Sequence, residues 1–72
     1  MLIEVKAKVA WKIDNKIKKK LETYIIDKEI FAEAEYVVMK LLNDAINDST
    51  VESFEITSLR LSVVKEIITQ YD

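Results

Sequence analysis

An α+β fold, one helix packed on a three- or four-stranded antiparallel sheet, is what this sequence predicts. Three observations lead there. Residues 2–13 alternate apolar and charged positions with period 2 and run into Asp14-Asn15-Lys16. Residues 30–46, "IFAEAEYVVMKLLNDAI", switch to helical spacing. Residues 51–61, "VESFEITSLRL", return to strand character. The element order is β-β-α-β, with the tail open between a short fourth strand, the favoured reading, and a helical turn. A right-handed crossover from the second strand through the helix sets the third strand beside the first. The predicted sheet order is therefore 2-1-3.

The first strand offers Ile3, Val5, Ala7, Val9, Trp11 and Ile13 to a core. Hairpin register decides what lies beside them, because a slip of one residue turns every side chain to the other face. A three-residue loop sets Ile13 opposite Ile17, Val9 opposite Leu21, Ala7 opposite Thr23 and Val5 opposite Ile25. A two-residue loop instead sets Val9 opposite Lys20 and Ala7 opposite Glu22. Apolar matching selects the three-residue loop. Tyr24 and Ile26 then point outward on an edge strand, beside Lys6 and Glu4. The outer face shows Lys12 beside Lys18, Ala10 beside Lys20, and Lys8 beside Glu22.

In the helix, Phe31, Ala34, Val38, Leu41, Leu42 and Ala45 share a face. Asp27 is the expected N-cap, and Glu29, Glu33 and Glu35 complement the positive end of the dipole. Asn47 is the expected left-handed residue at the end, in a chain without glycine. In the third strand Phe54 and Ile56 are in phase, but Leu59 and Leu61 are not, which places a bulge near Thr57-Ser58. In the tail, Val64, Ile67 and Ile68 suit a helical turn, whereas the β-branched content suits a strand.

Composition bounds the chemistry. With 72 residues the chain is read as one domain over 1–72, with a thin core. It has no Cys, His, Gly or Pro. Disulfides, zinc sites, thiol chemistry, histidine acid–base catalysis and glycine phosphate loops are therefore excluded. No segment has the length of apolar residues that a membrane span needs, and the alternating N-terminus lacks a signal-peptide core. A cytoplasmic or virion-associated protein is expected. Charge is uneven. Residues 1–26 hold seven lysines against three acids, and residues 27–72 hold four bases against ten acids, so segments of +4 and −6 make up the net −2.

"VKAKVAWKID", "KKLETYIIDKEIFAEAE", "FEITSLR" and "VVKEI" together resemble one repeat of the domain-of-unknown-function 4494 family of small bacterial and phage proteins. Val5-Lys6, Lys19-Lys20, Tyr24, Phe31, Glu33-Ala34-Glu35 and Glu66-Ile67 carry the resemblance. It implies a ββαβ fold and brings no activity with it. Where that family has a glycine in the hairpin turn, this chain has Asn15.

No residue set marks a catalytic centre. Glu33 and Glu35, spaced i and i+2, point to different sides of a helix. Asp44 and Asp48, i and i+4 at a helix end, leave a weak divalent-cation site as an alternative, although calcium loops use denser oxygen ligands and normally a glycine in the sharp turn. The serines Ser49, Ser53, Ser58 and Ser62 have no histidine base. Trp11 belongs to the apolar stripe; its functional alternative is a stacking platform near Lys12, Lys16 and Lys19. The expected function is a non-enzymatic interaction module, a homo-oligomer or a docker on a protein partner, with no cofactor and no small-molecule substrate. Tyr24, Ile26, Val63, Val64, Ile67 and Ile68 are its candidate interface. The alternative is nucleic-acid or acidic-partner binding through Lys6, Lys8, Lys12, Lys18 and Lys20.

Overall fold

The computed structural model describes residues 1–62. It contains β1 (Leu2–Ile13), β2 (Lys16–Asp27), α1 (Phe31–Asn47) and β3 (Val51–Leu61). The three strands form one antiparallel sheet in the order β2-β1-β3, with the helix between β2 and β3 in sequence. The architecture is the predicted α+β. Val63, Val64, Ile67, Ile68 and the rest of the tail lie outside the described residues.

Ile3, Val5, Ala7 and Val9 of β1 and Val51 of β3 meet Ala34, Val38 and Leu42 of α1 in the buried core. Ala45 and Ile46 pack half-buried against it. Ala34, Val38, Leu42 and Ile46 form one i, i+4 ridge, the natural contact line of a helix. This ridge corrects the expected face. Leu41 is 53% exposed and Phe31 43% exposed, because both sit to the side of that line. The 17-residue helix is about 25 Å long, whereas 12-residue strands run to about 40 Å. The core therefore ends near Trp11 and Val51, and the hairpin beyond them is exposed.

The hairpin register differs from the expected one. β1 and β2 pair Ile13 with Lys16, Val9 with Lys20, Ala7 with Glu22 and Val5 with Tyr24. The loop is the two residues Asp14 and Asn15, with φ of 51° and 63°. Two successive positive-φ residues make a turn whose twist matches the strands, and Asp and Asn tolerate that region best after glycine. Turn geometry thus prevails over cross-strand apolar matching. Lysines can sit opposite Val9 and Trp11 because Lys18 and Lys20 are exposed on the outer strand, where their ammonium groups reach water.

Both helix ends differ from expectation. Ile30 precedes the helix in extended conformation with no side-chain cap, and Asp27 instead accepts from the Met1 amino group at 3.0 Å. At the other end the helix continues through Asn47, and Ser49 takes the left-handed conformation at φ 64°. Ser49 N–H donates to Ile46 C=O and Thr50 N–H to Ala45 C=O, both at 3.0 Å, closing a Schellman motif without glycine. The bulge expected in the third strand is present: β3 skips Thr57 between the partners of Lys6 and Ala7. A second irregularity skips Glu52.

Candidate functional site: the open sheet face and the β2 edge

Strand alternation sends odd residues of β1 to the helix and even residues to the opposite face. That second face carries Glu4, Lys6, Lys8, Ala10 and Lys12 in its middle row. Pairing places Ile25, Thr23, Leu21, Lys19 and Ile17 beside them on β2, and Arg60, Ser58, Glu55 and Ser53 on β3.

This arrangement changes the candidate interface. Tyr24 and Ile26 are on the helix side, half-buried against the core, and do not point outward. The outward row of β2 is Ile17, Leu21 and Ile25, exposed by 50%, 57% and 38%. Three large aliphatic side chains in line on an edge strand form the most concentrated apolar feature of the open face. Sequence reasoning passed over them because the assumed loop was one residue too long. The signal that finds them is the Asp14-Asn15 pair, which specifies a two-residue turn.

The expected lysine stripe is likewise divided. Lys6, Lys8 and Lys12 lie on the open face, joined there by Lys19, which sequence reasoning did not include. Lys18 and Lys20 lie on the helix side, opposite Trp11 and Val9. Glu4, only 8% exposed, accepts from Arg60 Nε at 2.7 Å and lies 3.9 Å from Lys6 Nζ. Lys12 pairs with Glu52 at 3.2 Å. Lys8, Lys16, Lys18, Lys19 and Lys20 make no ion pair with the described acids. A shallow depression of about 120 Å³ lies mid-face, lined by Lys8, Ala10, Lys19, Ser53 and Glu55. Pockets that enclose small molecules are several times larger than this one; a wider but open depression of about 660 Å³ lies at the hairpin tip beside Lys12, Asp14, Asn15, Lys16, Ile17 and Ser49.

On the helix side Trp11 packs at the core edge and donates its indole N–H to Glu22 Oε1 at 3.3 Å. Burial, and then the Glu22 charge, push the Tyr24 phenol above its ordinary value. Among the described residues no three His, Cys, Asp or Glu side chains converge as metal ligands, and no helix is long and apolar enough to cross a membrane. What the open face has to offer is therefore surface: an apolar row, unpaired lysines and a strand edge. No family model, curated protein or solved structure matches this chain.

Proposed function

We propose that this chain is a non-enzymatic interaction module that self-associates or docks on a protein partner through the open face and edge of β2. The observation that carries the reading is the exposed row Ile17, Leu21 and Ile25 on a strand with no neighbour on its outer side among the described residues. Such an edge offers backbone hydrogen bonds and side-chain burial together. A phage or mobile-element accessory protein, including a virion component, is a setting that suits it. The kinship with the domain-of-unknown-function 4494 family belongs to the same proposal. The test is solution mass by light scattering, with capture of host proteins on immobilised chain, for wild type and for Leu21→Asp with Ile25→Asp. Assembly or capture that the double variant abolishes supports the reading; assembly and capture that it leaves unchanged overturn it.

Nucleic-acid binding is the second reading, favoured by the five hairpin lysines that make no ion pair with the described acids. Phosphate contacts release counterions and do not read bases. Lys18→Glu with Lys20→Glu is expected to weaken binding to all sequences alike and to flatten its salt dependence. Absence of any retention on DNA or RNA at low salt eliminates this reading.

A further inference from the structure

We infer that the partner is a second copy of this chain, joined by antiparallel pairing of the two β2 strands about a two-fold axis at Leu21. The inference rests on the interaction reading above and gives it a register. Among the described residues β2 is a 12-residue edge strand. A two-residue loop makes Ile13 and Lys16 a hydrogen-bonded pair. By alternation, Lys18, Lys20, Glu22 and Tyr24 turn their backbone groups toward β1. Ile17, Lys19, Leu21, Thr23 and Ile25 turn theirs away from it. The same parity holds along the middle strand. Lys12 N–H donates to Thr50 and Leu2 C=O accepts from Ser62 on the β3 side, whereas Met1 C=O accepts from Lys28 on the β2 side.

β2 is complementary to itself about Leu21. With the axis there, Leu21 faces the partner's Leu21, and Ile17 faces the partner's Ile25, all on the open face. On the helix side Lys20 faces the partner's Glu22, and Glu22 faces the partner's Lys20. The basic half, Lys16 to Lys20, runs along the half that holds Glu22 and Asp27. Registers on either side lose these matches. An axis at Lys20 opposes that lysine to its own copy and sets Leu21 against Lys19. An axis at Glu22 opposes two glutamates and sets Ile25 against Lys19. Like charges directly opposite are destabilising, whereas unlike and apolar pairs stabilise. Parity agrees as well, since Leu21 is one of the outward residues and its two-fold pair exchanges both backbone hydrogen bonds. The union is a closed, isologous contact that joins two three-stranded sheets edge to edge and merges the two apolar rows.

The chain has no cysteine, so single thiols can be introduced cleanly. In the Leu21 register, Leu21→Cys brings two thiol-bearing residues to a Cα separation of about 5.5 Å. Thr23→Cys leaves its two copies about 14 Å apart along the strands. A bis-maleimide too short for the longer span should link the first variant and not the second. Lys20→Glu should raise the dimer dissociation constant about ten-fold, and adding Glu22→Lys should restore it. That rescue is not expected of a merely destabilised fold. A dimer that links through Thr23→Cys and not Leu21→Cys, or that the charge exchange does not restore, overturns the register and leaves the interaction reading standing. A wild-type chain that stays monomeric at millimolar concentration overturns the second-copy inference, while capture of another protein would still uphold the module.

Discussion

Trp11 on the middle strand reaches Glu22 on the edge strand, four residues along β2 from its own ladder partner Lys18. The indole therefore lies along β2 just where the helix cover ends, and one hydrogen bond closes that end of the core. Trp11→Phe keeps most of the apolar area and removes the donor. It should cost about 1 kcal/mol, read as a lower urea midpoint at unchanged slope.

The rotation of the helix can be checked by two neighbouring leucines. Leu42 is fully buried and Leu41 is 53% exposed. Leu42→Ala should cost about 2–5 kcal/mol, a large part of the stability expected of so small a domain. Leu41→Ala should stay within about 0.5 kcal/mol. Equal losses in chemical denaturation would mean that the helix presents a different face.

The two-residue turn depends on left-handed backbone at Asp14 and Asn15. Asn15→Gly removes the steric penalty and should hold or slightly raise the melting temperature. Asn15→Val should cost about 1–2 kcal/mol. A three-residue loop would place its left-handed residue elsewhere, and the valine would then be tolerated.

Tyr24 gives a pH dependence of known sign. Its folded pKa lies above the unfolded value of 10.0, from burial first and the Glu22 charge second. The neutral phenol is thus favoured by folding. Its contribution is fully present below pH 10.0 and is lost as the pH rises through the folded value. Tyr24→Phe should lessen the alkaline loss of stability, and Glu22→Gln should lower the pH at which the Tyr24 phenolate absorbs. Denaturation midpoints across the alkaline range, with phenolate absorbance, test both.

The element order and the span of β3 from Val51 to Leu61 were legible in the sequence, because they follow from apolar periodicity within each segment, and the sheet order followed from the right-handed crossover that such an element order requires. The bulge at Thr57 was legible for the same reason: a phase change inside one strand needs no knowledge of its neighbours. The exposed row of the proposed interface was not legible from periodicity. Both faces of β2 carry apolar residues, Tyr24 and Ile26 on one and Ile17, Leu21 and Ile25 on the other, so its pattern fits either register. The choice between them was made in the folded chain. The Asp14-Asn15 turn set the parity, and the helix then buried the face that held Tyr24 and Ile26. Tertiary packing also decided which helical residues are inside, since Ala34, Val38, Leu42 and Ile46 form the ridge that meets a twisted sheet, and helical spacing alone admits Leu41 equally well. Within-strand pattern is a local property of the chain. Which face of an ambivalent strand becomes surface depends on a turn's handedness and on how far a helix reaches.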